Sequence, residues 1–318
     1  MALNLQALRV FVAVADAGGF TRAATRLRLS QPAVSKAVLG LERQLGLPLL
    51  ERGARGVRLT EAGAALLERA RELFAVERSA EEELRARLGL ERGTLRIGAS
   101  TTVATYLLPP LLGAFQARHP GVVLRVTSAN TRDVVRALLL RRLDVALVEG
   151  PVEDARIEVE PWRGDELVII APPDHPLARA GDAVPVAALV DQPFIGRERG
   201  SGTRVVAEAA LAAHGVRPRV VLTLGSTEAV KQASAAGLGL AVISRAAAAD
   251  QLALGRVREL RVAGLTIRRP LTRLRLVGRT PSVPAAAFEA LLAGERAPAT
   301  PAGRPARGRR PRRSPDRA

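Results

Sequence analysis

The sequence contains no cysteine, few aromatic residues and no long apolar run. Phenylalanine, tryptophan and tyrosine together make up 3% of its 318 residues, and there are three histidines. Without cysteine, the protein has no disulfides, thiolate zinc sites or cysteine nucleophiles, so its fold must be stabilised by apolar cores. Apolar residues form 47% of the chain, which is enough to build two or three domains.

No stretch of the sequence approaches the roughly 20 apolar residues that a membrane-spanning helix needs. The stretch most similar to a signal peptide follows Arg9, but its apolar run extends only from Val10 to Ala15 before Asp16 interrupts it. A signal core needs roughly 7–15 apolar residues. We therefore expect a cytoplasmic protein that has no membrane partner.

Residue patterns typical of enzymes are also scarce. Each histidine precedes a turn residue, in His119-Pro120, His175-Pro176 and His214-Gly215, which is more typical of turns than of catalytic bases. The sequence shows no metal-ligand spacing, no P-loop lysine pattern and no GxSxG motif. We expect no catalytic residue, no metal and no cofactor.

Positive charge is concentrated at the two ends of the chain. The formal net charge is +17; residues 1–60 hold nine basic and three acidic side chains, and residues 295–318 hold eight and two. This excess favours a polyanionic partner, either nucleic acid or an anionic membrane surface. Charge alone does not choose between them.

Three helices, with a tight turn between the last two, are predicted before Gly46. The first has apolar residues at three- and four-residue steps up to Ala15 and ends at Gly18. Thr21 is placed to cap a short second helix, and Ser30 to cap a third. The third helix has one apolar stripe, formed by Val34, Val38, Leu41 and Leu45. This arrangement predicts a helix-turn-helix.

The segment after these helices predicts a two-stranded wing and then a long helix. Gly53 and Gly56 suit a turn with arginines at its tip, and Thr60 can cap the helix that follows. That helix has a narrow apolar seam, formed by Leu66, Ala70, Leu73, Ala80 and Leu84. Such a seam favours a partner helix, so we interpret it as a coiled-coil-like dimer linker. The alternative is a helix packed against its own chain.

From residue 95 the pattern changes to alternating strands and helices, which is typical of parallel α/β units. In the first series we predict strands at 95–99, 122–127 and 145–149 and helices at 102–118 and 131–141. In the second we predict strands near 167–171, 194–196, 220–224, 240–244 and 274–277, and helices near 202–214, 227–236, 246–252 and 284–292. Two α/β lobes with a cleft between them follow from this pattern.

The segment from Phe11 to Gly63 resembles the DNA-binding domain of LysR-type transcriptional regulators. The motifs that carry this resemblance are Ala23-Ala24, Ser30-Gln31-Pro32-Ala33-Val34-Ser35, Leu41-Glu42, Glu51-Arg52 and Leu59-Thr60-Glu61-Ala62-Gly63. Two positions depart from the family pattern: Leu50 stands where phenylalanine is common, and Gly40 lies inside the third helix, where glycine costs about 1 kcal/mol relative to alanine. The downstream lobes look like the effector domain of the same family, so the resemblance covers roughly residues 3–293.

The resemblance implies an α/β protein with an all-α winged helix-turn-helix in front of a two-lobed, periplasmic-binding-protein-like effector domain. The expected divisions are a DNA-binding domain at 1–60, a dimerising linker helix at 61–92, an effector domain at 93–294 and a basic tail at 295–318. Lobe I would comprise 93–161 and 268–294, and lobe II 162–267. The tail is rich in Pro, Ala, Gly and Arg, so we expect it to be disordered.

A recognition helix contacts base edges with its N-terminal residues. The residues opposite the apolar stripe there are Gln31, Pro32, Ser35 and Lys36. Glutamine can bond bidentately to adenine, and proline can contact a thymine methyl group. The alternative is that these residues are solvated or only start the helix.

Three further residues are predicted to contact the DNA backbone or minor groove. Thr21 and Arg22 lie at the start of the second helix, where phosphate contacts are common. By the resemblance, Arg55 at the wing tip would enter the minor groove, where a narrow A·T-rich stretch attracts arginine. For Arg22 in particular, a solvated position is the alternative.

Two segments carry the expected effector chemistry, because each follows a strand and opens a helix with hydroxyl groups. They are Ser100-Thr101-Thr102 and Gly200-Ser201-Gly202-Thr203-Arg204. Hydroxyls and free N–H groups at a positive helix end suit a small anion. Serine and threonine are also common N-caps without a ligand, and Arg204 could instead pair with Glu208.

Together with Ser226-Thr227-Glu228-Ala229 and Lys231, these segments resemble the family branch that controls sulfur assimilation and carbon fixation. By that resemblance, Ser100, Thr102 and Thr203 would hold a sulfur oxyanion, a phosphorylated metabolite or a carboxylate. The expected partners are therefore double-stranded DNA, a small anionic effector, and a second copy of the chain. The resemblance also implies that two dimers associate into a tetramer.

Three other functions compete with an effector-controlled regulator. An enzyme has little support in the sequence. A solute-binding protein would share the two-lobed fold but would not need residues 1–90. A nucleoid-type DNA binder would lack effector control, and a small molecule that changes DNA affinity would distinguish it. Effector identity, operator sequence and the sign of regulation do not follow from the sequence.

Overall fold

The computed structural model describes residues 3–53, 56–87, 93–179 and 182–294. Two sequence-based predictions lie outside these residues: the position of Arg55 and the disorder of the tail at 295–318. Within the described ranges, no helix is long and apolar enough to cross a membrane.

The N-terminal part is a winged helix-turn-helix, as the sequence predicts. Its elements are α1 (Leu5–Ala17), α2 (Phe20–Leu27), α3 (Gln31–Leu45), β1 (Leu50–Gly53) and β2 (Gly56–Leu59). The two strands pair antiparallel, with Leu50 opposite Leu59. Val34, Val38 and Leu41 of the predicted stripe are buried against α1 and α2, whereas Leu45 is exposed.

Side-chain caps set most of the helix starts in this domain. Ser30 accepts a hydrogen bond from the backbone N–H of Ala33 at 3.3 Å, as predicted. The cap predicted at Thr21 is wrong: α2 begins at Phe20, its N-cap is Gly19 and no side chain caps it. The chain leaves α1 through Gly18, which has a φ of 64°, and turns directly into α2.

A close backbone approach joins the wing to the long helix α4 (Glu61–Arg87). The N–H groups of Leu49 and Leu50 both donate to the Glu42 carboxylate, at 2.8 and 3.2 Å. At Gly63, a Cβ atom would lie 2.0 Å from the carbonyl oxygen of Leu49, so only glycine fits. Thr60 caps α4 by accepting from the Gly63 N–H at 2.9 Å.

The first half of α4 packs on its own domain, and its second half presents apolar side chains to solvent. Leu67 and Phe74 are buried in the core of the N-terminal domain, one position away from the predicted seam residues Leu66 and Leu73. Further along, Val76 and Leu84 are 69% and 63% exposed. Packing within the N-terminal domain therefore accounts for the buried apolar side chains of the first half of the helix.

The remainder of the described chain forms a two-lobed α/β structure. Its strands are β3 (Gly93–Ser100), β4 (Val122–Ala129), β5 (Val145–Glu149), β6 (Ile157–Ala171), β7 (Pro193–Arg197), β8 (Arg219–Leu224), β9 (Leu240–Ser244), β10 (Arg258–Leu260) and β11 (Ile267–Leu276). Its helices are α5 (Leu108–Arg118), α6 (Thr131–Leu139), α7 (Pro176–Arg179), α8 (Gly202–Ala213), α9 (Thr227–Ala235), α10 (Arg245–Ala253) and α11 (Val283–Gly294).

One continuous sheet joins the two lobes. Its strand order is β4-β3-β5-β11-β6-β9-β7-β8, with β10 beside β6. Strands β3, β4 and β5 of the first lobe are parallel to one another, as are β7, β8 and β9 of the second. The long strands β6 and β11 run antiparallel to each other between the lobes and connect them.

Three predicted elements differ from the structure for identifiable reasons. The helix predicted at 102–118 begins with a π-helical turn, Val103–Leu107, and α5 starts at Leu108. Pro109 and Pro110 have no N–H to donate, so an α-helix cannot continue regularly through them. Only the end of β6 and the last part of β11 were predicted, because charged residues and prolines interrupt the apolar pattern of both strands.

Candidate functional site

One predicted hydroxyl group from each lobe contacts the same buried carboxylate. Ser100 lies at the end of β3 in the first lobe, and its hydroxyl donates to Glu149 at the end of β5. Thr203, in the first turn of α8 in the second lobe, donates to the other carboxylate oxygen at 3.2 Å. The cleft therefore brings the two predicted segments together, with Glu149 between them.

The lobes approach so closely here that glycine is required. A Cβ atom on Gly202 would lie 1.8 Å from the carbonyl oxygen of Glu149. Gly150 has a φ of 87°, and a Cβ there would lie 2.7 Å from the Cα of Gly202. The N-terminus of α8 is thus held directly against the end of β5, with Ser201 as its N-cap.

A second group of hydroxyls surrounds Thr227 at the start of α9. The Oγ1 atoms of Thr101 and Thr102 lie 3.4 and 3.3 Å from Thr227 Oγ1. The buried guanidinium of Arg197 donates to the same oxygen at 2.9 Å. Residues from both lobes therefore share one hydrogen-bond network, and Thr102 is fully buried in it.

Two arginines supply positive charge beside these hydroxyls. Arg197 donates to both carboxylate oxygens of Glu198, at 2.8 and 2.9 Å. Arg269, on β11, donates to Asp165 at 2.7 Å and to the Thr203 hydroxyl at 2.9 Å. Both guanidinium groups are more than nine-tenths buried, where a charge is tolerated only when it is paired and hydrogen-bonded.

Burial raises the pKa of Glu149 above its usual value. The charge of Arg269, the hydrogen bond from Thr203 and the charge of Arg197 oppose this rise. The negative charge of Asp165 adds to it. Proton uptake by this carboxylate is therefore easier than at the protein surface.

Arg204 contacts acceptors of its own lobe. Its guanidinium donates to Glu208, one turn along α8, at 2.8 Å and to the carbonyl oxygen of Arg197 at 3.2 Å. The contact with Glu208 is the alternative to ligand binding that the sequence left open for Arg204. A ligand would have to share or displace them.

A further contact between the lobes lies at the π-helical turn. The Tyr106 hydroxyl donates to Glu228 of α9 at 2.8 Å, and the Lys231 ammonium lies 4.8 Å from the centre of the Tyr106 ring. Lys231 is fully buried and also contacts Asp250 at 2.8 Å. Burial raises the pKa of Tyr106 to about 12.

The surface expected to contact DNA is accessible in this structure. Gln31, Pro32 and Lys36 are exposed at the start of α3, and Ser35 is partly exposed. In α2, Thr21 and Arg22 are exposed as well. The Arg22 guanidinium donates to the carbonyl oxygen of Gly18 at 2.8 Å, which holds its side chain near the start of that helix.

Ion pairs connect the DNA-binding domain to the first lobe. The carboxylate of Asp16, at the end of α1, accepts from Arg71 of α4 and from Arg142 after α6, each at 2.5 Å. Glu72 of α4 pairs with Arg141 at 3.0 Å. Arg71 is almost buried in this contact, with a 10% exposed side chain.

Two family models match almost the whole chain. The model for the bacterial regulatory helix-turn-helix protein, LysR family, matches residues 5–64, and the model for the LysR substrate-binding domain matches residues 88–297. The chain belongs to the LysR family of transcriptional regulators. The resemblance found in the sequence is thereby confirmed, and this LysR-family protein is a regulator rather than an enzyme.

Known proteins support this assignment. The RuBisCO operon transcriptional regulator of Allochromatium vinosum is 39% identical over 93% of this chain and 98% of its own. The regulatory domain of CcmR from Synechocystis PCC6803, solved in complex with 2-PG, is 34% identical, with a TM-score of 0.60 over 64% of this chain and 97% of its own. CbnR, a LysR family transcriptional regulator, shares the fold over 92% of this chain and 99% of its own, with a TM-score of 0.67 and 24% identity.

The sequence reasoning missed the charged residues of the cleft in this LysR-family protein. These residues are Glu149, Asp165, Arg197 and Arg269. The sequence did contain one signal for Glu149. This residue directly follows the apolar run 145–148 and ends its strand at the same edge of the sheet as Ser100. A charged residue placed there must be paired or must have a role in the site.

Proposed function

We propose that this regulator binds an operator through its helix-turn-helix and that a small anionic effector, held between the lobes, modulates that binding. The observation that carries the proposal is the convergence of hydroxyls from both lobes with the buried guanidinium groups of Arg197 and Arg269. Hydroxyl and guanidinium donors in a partly desolvated cleft suit an oxyanion or a carboxylate. The CcmR regulatory domain in complex with 2-PG supports a small ligand in the same kind of domain.

The proposed effector contacts come from both lobes. They are Ser100, Thr101, Thr102, Ser201, Thr203 and Arg204. Ser100, Thr102 and Thr203 are buried. The hydroxyls of Thr102 and Thr203 contact Thr227 and Glu149 of the opposite lobe, and the hydroxyl of Ser100 contacts Glu149 of its own lobe. Closure around an effector would therefore change the contacts between the lobes.

For the DNA interface we propose base contacts from the exposed start of α3. Gln31, Pro32, Ser35 and Lys36 would enter the major groove, and Thr21 and Arg22 would contact phosphates. Arg55, which lies outside the described residues, would reach the minor groove from the wing tip.

We further propose a homodimer that forms through α4 and pairs into a tetramer. The exposed side chains of Val76 and Leu84, with that of Leu73, support a partner helix along the second half of α4. The proposed divisions remain 1–60, 61–92, 93–294 and 295–318, with the lobe limits given above. A DNA-binding regulator of this kind would work in the cytoplasm.

A footprint of the full-length protein upstream of its own gene provides an operator for the test. Gel shifts at fixed salt then measure operator affinity with sulfate, inorganic phosphate or 2-PG present. We expect at least one anion to change the affinity or the footprint, and Thr102→Val to keep DNA binding but lose that change. Thr280→Val, an exposed loop position, is the control. A nucleoid-type binder would respond to none of the anions.

A further inference from the structure

The carboxylate of Glu149 already uses two hydroxyl protons that an anionic effector would need. Ser100 Oγ donates to one of its oxygens, and Thr203 Oγ1 donates to the other at 3.2 Å. A serine or threonine hydroxyl has a single proton to donate. While both protons point to Glu149, these two side chains offer a ligand only lone pairs, which an anion does not bind.

The arginines of the cleft leave the charge of Glu149 poorly compensated. Arg269 forms its short ion pair, at 2.7 Å, with Asp165, and its nearest approach to a Glu149 oxygen is 3.9 Å. Arg197 is engaged with Glu198 and Thr227. An ionised Glu149 would therefore repel an anion placed beside Ser100 and Thr203, and burial makes this repulsion stronger than it would be in water.

We propose that the anionic effector binds in this cleft together with one proton, which is taken up by Glu149. The inference rests on the proposed function, since it concerns the same cleft and the same class of ligand. With its carboxyl group neutral, Glu149 can donate to one of the two hydroxyls instead of accepting from both. The hydroxyl that accepts from Glu149 can then turn its own proton to the effector, while the other keeps donating to the second Glu149 oxygen, and the like-charge repulsion is removed.

The surroundings of Glu149 favour it as the group that titrates. The charged groups facing it are Arg269 from β11, Asp165 from β6 and Arg197 from β7. The hydroxyls come from β3 and α8, and Thr131 of α6 donates only to the backbone carbonyl of Glu149. The three histidines lie away from the cleft: two are C-caps of α5 and α8, and the third directly precedes α7. Burial raises the pKa of Glu149, which lowers the cost of adding this proton.

Calorimetric titration of the full-length protein with sulfate tests this inference. Sulfate is the probe because its charge stays constant from about pH 5 to about pH 8. Any proton taken up on binding is therefore bound by the protein and not by the ligand. In the wild type we expect one proton to be taken up per sulfate, seen as a dependence of the binding heat on the ionisation enthalpy of the buffer. Above the pKa of Glu149, the dissociation constant should rise about tenfold per pH unit.

In Glu149→Gln, a neutral side chain of the same shape, both the proton uptake and the pH dependence should disappear. Glu158→Gln, which alters an ion-paired carboxylate on β6, should keep the wild-type behaviour. The buffer comparison on wild-type protein gives the proton count even if Glu149→Gln does not fold.

Two failures are distinguishable in this experiment. Sulfate binding without proton uptake, at the same affinity in wild type and Glu149→Gln, would overturn the inference and leave an anion-binding cleft in place. If wild-type protein binds neither sulfate nor inorganic phosphate at any pH, the proposed function fails, and the inference fails with it.

Discussion

The hydroxyl of Tyr106 in the first lobe donates a 2.8 Å hydrogen bond to the carboxylate of Glu228 in the second. This contact, together with the Lys231 ammonium beside both groups, joins the lobes at a place distinct from the Glu149 network. Hydrogen bonds from Gln232 and then from Tyr106 and Lys231 lower the pKa of Glu228 to about 2.

The pH dependence of stability should report this contact. Because the folded-state pKa of Glu228 lies below its usual value of 4.5, its contribution to the free energy of unfolding is present above pH 4.5. That contribution is lost as the pH falls toward about 2. We expect Glu228→Gln to flatten the acid limb of a urea-unfolding profile measured between these values. The effect should be modest, since the Glu228 side chain is 50% exposed.

Tyr106→Phe separates the contribution of the hydrogen bond to Glu228 from that of the aromatic ring beside Lys231. The variant keeps the aromatic face over Lys231 and removes only the hydroxyl, so it should lower the free energy of unfolding by about 0.5–1.5 kcal/mol. An acid limb that is unchanged in Glu228→Gln, with Tyr106→Phe as stable as wild type, would show that this contact does not hold the lobes together.

Two glycines, one in the recognition helix and one in the first turn of α4, should respond oppositely to alanine. Gly40 lies mid-helix in α3, and no atom lies within 4 Å of the position that an added methyl group would take, so Gly40→Ala should stabilise the protein by about 1 kcal/mol. Gly63→Ala should destabilise it, because the new Cβ would lie 2.0 Å from the Leu49 carbonyl oxygen. Thermal and urea unfolding measure both changes. A destabilised Gly40→Ala would indicate that the helix needs flexibility there.

The role proposed for Gln31 predicts a loss of specificity more than a loss of affinity. Gln31→Ala should weaken operator binding by about 1–3 kcal/mol and leave random-sequence binding nearly unchanged, since a bidentate base contact acts only on its own base pair. Gel shifts on both DNAs at one salt concentration make the comparison. Arg43→Ala, on an exposed side chain near the end of α3, is the control. Equal weakening on both DNAs would contradict base reading by Gln31.

The sequence was sufficient for elements whose signals are local. Ser30 caps α3 and Thr60 caps α4 as predicted, because a cap depends only on residues within one turn. Strands β5 and β9 were predicted at both ends, since each is a short apolar run between polar residues. The cap at Thr21 failed because the backbone of Gly18 and Gly19, rather than a side chain, sets the start of α2.

The candidate site could be predicted only in part, for a physical reason. Its hydroxyls follow strands and begin helices, a local pattern that the sequence displays. The contact of Arg269 with Asp165 and Thr203 depends on the antiparallel register of β6 and β11, in which Arg269 lies opposite Asp165. Neither strand has a continuous apolar pattern at this point, so the pairing was not visible in the sequence.

Asp16 is a single acceptor shared by two arginines, one from the linker helix and one from the first lobe. The carboxylate therefore links three segments, α1, α4 and the loop after α6, through two ion pairs. Because α1 packs against the recognition helix α3, these ion pairs also fix the orientation of α3 relative to the first lobe. A movement of the first lobe away from the DNA-binding domain would have to break the ion pair between Asp16 and Arg142.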